Sequence, residues 1–290
     1  MKAPRFSYVR AESVEHALEL LAEHGDDARV LAGGQSLMPT LNMRLSHPRV
    51  LIDINRLDAL KGISLHDGEV RIGALARHAE VMRSPIVARH LPLIAQAVPH
   101  VAHVAVRNRG TFGGSIALAD PAAEMPACAL ALGATFVLAS RAGRREVPSD
   151  IFFKGLYETE RRPEELLVET RLPVSGPRPV SVFMELARRH GDFAIAGVAF
   201  QLMIDGDVVQ NGRLVYFGSE DRPKLAGTVL DAVRGSRLGP ADIDAAAAAV
   251  AGDLSPMSSP QGSAKLRLHL QKVLTRRALE AARARSGVAA

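Results

Sequence analysis

Two glycine doublets, far apart in the chain and each set among small hydroxyl residues, set the terms for the rest of this sequence. The first lies in Val30-Leu31-Ala32-Gly33-Gly34-Gln35-Ser36-Leu37 and the second in Gly110-Thr111-Phe112-Gly113-Gly114-Ser115. Without a Cβ in the way, successive backbone N–H groups can converge on an anion. Thr111 and Ser115 add hydroxyl groups, although backbone amides would do most of the gripping. Two such loops suit a long phosphate-bearing ligand held from both sides. Neither has the spacing of a Walker loop or a dinucleotide fingerprint, so the usual nucleotide folds are not indicated. A single Gly-Gly pair reads equally well as a tight turn between strand and helix. The repetition of the same chemistry is what favours a ligand.

Hydrophobic periodicity divides the 290 residues into three units. The first, about residues 1–55, reads as a small α/β lobe. Ser13 caps a helix Val14–Glu23 that ends at Gly25, strand Ala28–Leu31 enters the first glycine loop, Pro39 starts a short helix Thr40–Arg44, and strand Val50–Ile54 follows. The second, about 56–175, has a strand at Glu69–Ala74 and helices at His78–Arg83 and Ile86–Val98. After the second glycine loop come a buried helix within Pro121–Leu132 and strands Thr135–Ala139 and Leu166–Leu172. A proline- and glycine-rich linker, Val174-Ser175-Gly176-Pro177-Arg178-Pro179, precedes the third unit, about 178–286. There, strands at Ser181–Leu186, Ala196–Ile204 and Arg213–Phe217 are followed by helices near Leu225–Val233, Asp242–Ala251 and Lys265–Arg285. That order argues for an α+β domain.

Composition removes several functions. One cysteine, Cys128, cannot by itself form a disulfide, a thiolate-held iron–sulfur cluster or a structural zinc site, and in Ala127-Cys128-Ala129-Leu130 it reads as a small buried hydrophobe. The histidines fall into no metal-binding spacing. The net charge of +5 comes from scattered arginines, often beside acids, with no basic groove interleaved with aromatic residues, so no nucleic-acid partner is expected. No stretch approaches the ~20 apolar residues of a membrane span and the N-terminus has no signal-like apolar run, so the expected location is cytoplasmic.

Taken in order, the motifs resemble the flavoprotein (medium) subunit of molybdenum hydroxylases of the carbon monoxide dehydrogenase and xanthine dehydrogenase type. The resemblance rests on Ala32–Leu37, on Arg107-Asn108-Arg109-Gly110-Thr111-Phe112-Gly113-Gly114-Ser115 and on Ala119-Asp120-Pro121-Ala122-Ala123-Glu124. It continues through Phe152-Phe153-Lys154-Gly155, Glu165-Leu166-Leu167, Arg189-His190-Gly191-Asp192-Phe193-Ala194 and Leu270–Leu279. It implies an α+β protein: residues 1–175 as a two-lobed FAD-binding domain of the vanillyl-alcohol oxidase-like (PCMH) type, and 178–286 as a carbon monoxide dehydrogenase flavoprotein-like C-terminal domain.

The same resemblance implies site residues. Ala32, Gly33, Gly34, Gln35, Ser36 and Leu37, with Thr111, Gly113, Gly114 and Ser115, would wrap the FAD pyrophosphate. Glu124 would accept from sugar or ribityl hydroxyls, or else serve only as the acid of a helix N-terminus. Leu167, and Asp192 with Phe193, would approach the isoalloxazine. Ordinary strand packing is the alternative for Leu167 and core packing for Phe193, which stands where tyrosine is frequent in the family and cannot donate a hydrogen bond. Asp53 reads as a structural strand end, and Arg107 and Arg109 as phosphate neighbours, salt-bridge formers or partner contacts.

The expected role is that of an electron-transferring oxidoreductase subunit with no catalytic acid, base or nucleophile of its own. Electrons would arrive from a small subunit carrying two 2Fe–2S clusters and go on to an external acceptor. Hydroxylation would take place on a large subunit with a molybdenum–pterin cofactor, in a dimer of heterotrimers. The competing readings are a stand-alone FAD-dependent reductase of the same wider fold and a non-catalytic scaffold subunit that has lost its flavin.

Overall fold

The computed structural model describes residues 2–174, 176 and 179–286; of the expected linker, Ser175, Pro177 and Arg178 lie outside the described residues. The first lobe is a three-stranded parallel sheet of β1 (Ser7–Arg10), β2 (Ala28–Leu31) and β3 (Val50–Asp53), in the order β1-β3-β2. Between β1 and β2 runs α1 (Val14–His24). The Ser13 hydroxyl accepts from the His16 N–H at its start, and Gly25, at φ 48°, ends it. After β2 the chain turns through the first glycine loop into α2 (Leu37–Asn42), which begins ahead of Pro39 rather than at it.

The second lobe is built on an antiparallel five-stranded sheet. Its strands β4 (Ile63–His66) and β5 (Glu69–Gly73) are followed by α3 (His78–Arg83), α4 (Pro85–His90) and α5 (Pro92–Ala97). A single helix from Ile86 to Val98 does not form: Pro92 has no N–H to donate, and Leu91, at φ −128° and ψ 61°, breaks the run into α4 and α5. Next come α6 (Val104–Arg107), α7 (Phe112–Leu118) and α8 (Glu124–Ala131). All eight residues of α8, Cys128 included, are buried. Strands β6 (Thr135–Ser140) and β7 (Gly143–Pro148), the short α9 (Ser149–Phe152), the two-stranded pair β8 (Phe153–Gly155) and β9 (Glu158–Thr159), and β10 (Leu166–Pro173) complete it, with sheet order β4-β5-β10-β6-β7.

Strand β10 is the hinge of the packing. Leu167 points into the core shared with the helices, whereas Leu166 and Val168 face the first lobe and pack with Leu18, Ile52 and Leu75. That alternation is the period of a strand covered on both faces.

The third unit is an antiparallel sheet of β11 (Pro179–Leu186), β12 (Ala196–Asp205), β13 (Val208–Phe217) and β14 (Lys224–Leu225). It is backed by α10 (Gly227–Val233), α11 (Pro240–Asp253) and α12 (Ala264–Ser286). Its other face does not end at the linker. Phe183, Ala199, Val215 and Phe217 share one apolar core with α5 and α8. Gln96 accepts from the Phe183 N–H at 3.3 Å and donates to the Ser181 carbonyl at 3.1 Å, and Gly218 N–H donates to the Pro121 carbonyl at 2.8 Å. The third unit is thereby fixed against the second, and so is the β11–β12 loop that carries Asp192 and Phe193.

Candidate functional site

A cleft of about 510 Å³ opens at the C-terminal end of the parallel sheet, lined by Ala32, Gly33, Gly34 and Gln35 together with Tyr8, Met38, Asp53, Asn55 and Arg109. The loop at its floor presents a run of backbone donors. The N–H groups of Gly33, Gly34, Gln35, Ser36 and Leu37 have no acceptor among the described residues, while Gln35 Nε2 folds back onto the Gly33 carbonyl at 3.1 Å. Gly34 takes φ +72°, which residues with a Cβ rarely adopt. Gly33 is buried because the second glycine motif lies directly against it. A Cβ there would run into the Arg109 carbonyl oxygen and come within 2.8 Å of Gly110 Cα.

The second motif is not a loop that copies the first. Thr111 is the N-cap of α7, and its hydroxyl accepts from the Gly114 N–H at 3.0 Å. The N–H groups of Phe112 and Gly113 donate to the Ala76 and Ala74 carbonyls, and that of Ser115 to Thr111. In the run from Gly110 to Ser115, only the Thr111 N–H has no acceptor among the described residues. The reason is steric: Gly113 sits so close to β5's end that its Cβ would be 2.6 Å from Ala74 Cα. This motif therefore acts as a wall that the first loop closes upon, and the amide-rich floor belongs to the first loop alone.

Residues that sequence reading passed over hold the cleft together. Asn55 Nδ2 donates to the Ala32 carbonyl at 2.6 Å and to Asp53 Oδ1 at 2.8 Å, and Asn55 Oδ1 accepts from Arg77 Nη2 at 2.7 Å. Arg77 Nη1 donates to the Arg109 carbonyl. Asp53 also accepts from the Tyr8 hydroxyl at 2.5 Å. Burial alone would raise the Asp53 carboxyl, but the bonds from Tyr8 and Asn55 outweigh it and hold it below the usual carboxylate range. Asp53, read as a structural strand end, is both that and part of the cleft lining. A strand-end Asp followed two residues on by Asn was the one local signal for this arrangement.

The two arginines of the second motif part company. Arg109 is exposed and lines the cleft, whereas Arg107 is buried and spends its guanidinium on the carbonyls of Pro99, Val101 and Ala102. Beneath Gly110 lies His78, 4% exposed, which burial first and Arg107 second push down to about 4; it is a neutral imidazole at neutral pH.

Glu124 is buried at the start of α8, with Asp120, Arg107 and Glu185 as its charged neighbours. Burial pushes its carboxyl up to about 8; the hydrogen bond from its own backbone opposes this, and the two nearby acids push further upward. Leu167 is buried in the core and does not line the cleft. Asp192 and Phe193 are exposed, Phe193 at 60%. Their loop is seated by Gly191, φ +88°, whose Cβ would lie 2.7 Å from the Ala102 carbonyl. Ala102 and His103 immediately precede α6, and α6 runs into Arg109, so one short helix of about 6 Å links the wall of the cleft to the seat of Phe193.

Comparison with known proteins decides the family. Residues 4–175 match the family described as FAD binding domain in molybdopterin dehydrogenase, and residues 181–282 match CO dehydrogenase flavoprotein C-terminal domain. The chain belongs to the FAD-binding medium subunits of the molybdenum hydroxylases. This medium subunit is 40% identical over 280 residues to the 6-hydroxypseudooxynicotine dehydrogenase complex subunit alpha of Paenarthrobacter nicotinovorans, covering 96% of this chain and 95% of that protein. It is 39% identical to the glyceraldehyde dehydrogenase medium chain of Sulfolobus acidocaldarius, covering 97% of this chain and 99% of that one. Among solved structures it superposes with a TM-score of 0.95, at 38% identity and over 98% of this chain and 99% of the other, on carbon monoxide dehydrogenase from Hydrogenophaga pseudoflava lacking the Mo-pyranopterin moiety. The relatives are medium subunits of multi-subunit oxidoreductases, and the match of both regions sets aside the stand-alone reductase.

The residues present fit FAD. A diphosphate needs several donors and no competing side-chain bulk, and the medium subunit offers, among the cleft-lining residues, the unpartnered amides of Gly33, Gly34 and Gln35 together with the Arg109 cation. The glycines that permit this are demanded by the fold itself, since the backbone of the second motif occupies the space a side chain on Gly33 would need.

Proposed function

We propose that residues 1–175 hold FAD with its diphosphate on the amides of Gly33–Leu37, closed from the other side by Arg109 and Thr111. The observation that carries this reading is the run of N–H groups from Gly33 to Leu37 without acceptors among the described residues, of which Gly33, Gly34 and Gln35 line a cleft together with Arg109. Gly34, Gln35, Ser36 and Leu37 supply backbone donors, and Gly113, Gly114 and Ser115, in the helix α7 that follows Arg109, support the cleft from outside its lining. In this reading Glu124, held protonated at neutral pH by burial, both donates and accepts toward sugar hydroxyls. Phe193 offers an aromatic face to the isoalloxazine, with Asp192 beside it, while Leu167 acts from the core behind.

Bound FAD supplies a carrier able to take up electrons from a one-electron donor and deliver them to a different acceptor. The chain's own part is to bind, orient and shield it. Arg109 and the amides balance phosphate charge, the packing of Gly33 on Gly110 fixes the cleft width, and the third unit, locked to α5 and α8, holds the Phe193 loop at a set place. No general acid or nucleophile is needed.

In the assembled enzyme the donor is the small subunit with its two 2Fe–2S clusters, and the large subunit holds the molybdenum–pterin cofactor and the substrate pocket. The range of substrates in the relatives' names supports this division, because chains of one fold serve dehydrogenases for quite different molecules. The assembly is a dimer of heterotrimers, which the mass of the purified complex checks. The setting is cytoplasmic, in keeping with a single buried cysteine; among the described residues no helix is long and apolar enough to cross a membrane.

Rapid mixing of the FAD-loaded chain with the reduced small subunit tests the role. Loss of the oxidised-flavin absorbance on mixing is expected. A flavin that dithionite bleaches but the small subunit leaves unchanged would overturn the reading.

A further inference from the structure

Arg77 sits between β5 and α3, where its N–H is accepted by the Glu80 carboxylate at 2.7 Å and its residue pairs with Thr111 in an isolated bridge. Its backbone is therefore pinned to the second motif. Its side chain reaches in two directions. Nη1 meets the Arg109 carbonyl, the same oxygen that lies against Gly33, and Nη2 meets Asn55 Oδ1. Asn55 in turn grips the carbonyls of Leu31 and Ala32, the last two residues before the glycine doublet, at 3.2 and 2.6 Å. A single guanidinium thus ties the end of β2 in one lobe to the wall supplied by the other. Arg77 does not line the cleft, so it acts through Asn55 and Arg109, which do.

We propose that Arg77 is a positioning residue for FAD, whose forked side chain sets the spacing between the Gly33–Leu37 amides and the Arg109 wall and thereby governs how long FAD stays bound. A guanidinium presents two nitrogens in fixed, diverging directions; a lysine ammonium has one nitrogen and cannot hold two acceptors at the same separation. The inference rests on the proposed FAD site. It also separates from a simple charge effect: a cation near Arg109 would attract phosphate whether it was Lys or Arg.

The test uses the full chain reconstituted with FAD, following the recovery of free-FAD fluorescence after dilution. It compares the native chain with Arg77→Lys, Arg77→Gln and Asn55→Ala, and with Arg145→Gln, which breaks the remote Arg145–Glu165 pair and serves as a stability control. Thermal unfolding of each FAD-free chain is recorded alongside, together with visible circular dichroism of the bound flavin. Both Arg77 variants and Asn55→Ala should release FAD roughly tenfold faster with altered dichroism, while the control releases it at the native rate. Native retention in Arg77→Lys would show that charge suffices and overturn the clasp. So would native retention in Asn55→Ala, or equally fast release from the control. A native chain that never retains FAD would overturn the site reading, and the clasp with it.

Discussion

Gly33 and Arg109 meet backbone to backbone: the space a Cβ on Gly33 would need is taken by the Arg109 carbonyl oxygen. Two segments far apart in sequence, one from each lobe, are in contact here with no room for a side chain on Gly33. Both sides of that contact, Gly33 and Arg109, line the cleft together with Gly34 and Gln35.

The same kind of contact recurs at Gly113, but with a different consequence. Its Cβ would stand 2.6 Å from both Ala74 Cα and Ala74 Cβ, and main chain cannot yield as a flexible side chain can. Gly113→Ala is expected to destabilise the FAD-binding domain by about 2–3 kcal/mol through overpacking. Denaturant unfolding of the FAD-free chain measures this. An unchanged midpoint would show that α7 can slide off β5 without cost.

Glu124 gives the protein a pH signature. Its folded-state value of about 8 is above the ordinary 4.5, so the native state holds this proton more tightly than the unfolded chain does. The contribution is fully present below about pH 4.5 and is lost as pH rises toward 8, by at most about 1.4 kcal/mol per pH unit. His78, pushed down to about 4 from 6.5, works in the opposite sense: its contribution is present above 6.5 and lost as pH falls toward 4. Glu124→Gln should therefore remove the decline in stability between about pH 7.5 and 8, where the unfolded His78 has lost nearly all of its proton and contributes little slope. A native-like decline in this variant would mean that another group carries it.

Phe193 separates function from folding. At 60% exposure it contributes little to the core, so Phe193→Ala should change stability by no more than about 0.5 kcal/mol. The absorption band of bound flavin should shift and its reduction by the small subunit should slow. Phe193→Tyr adds a hydroxyl donor at a site open to solvent and should be at least as active. A large fall in melting temperature for Phe193→Ala, with an unaltered flavin spectrum, would assign this residue to packing.

Where local chemistry decides the structure, the sequence was readable. Ser13 and Gly25 bound α1 as their capping preferences require, and the buried character of α8 follows from its run of small apolar residues. The first glycine doublet lines the cleft, while the second lies outside its lining in the segment that follows Arg109. What they could not reveal was the inequality between them, because whether Gly113 and Gly114 belong to a loop or a helix depends on Thr111 capping α7 and on Ala74 lying beneath. Pro92 likewise interrupts a periodicity that is helical on both sides of it. Strand β7, Gly-Arg-Arg-Glu-Val-Pro, is mostly exposed at a sheet edge and has no apolar alternation to announce it. Tyr8 and Arg77 owe their roles to partners brought close only by folding, so nothing adjacent to them in sequence marks them, whereas Asn55 has a local sign in Asp53 two residues before it.

The most direct measurement is equilibrium titration of the purified chain with FAD, the native protein beside Gly33→Val. Native protein should bind one FAD per chain, and the valine, forced against Arg109 and Gly110, should weaken binding by at least roughly a hundredfold while the third unit keeps its fold. Equal FAD affinity in the two proteins would contradict the placement of the flavin between the glycine motifs.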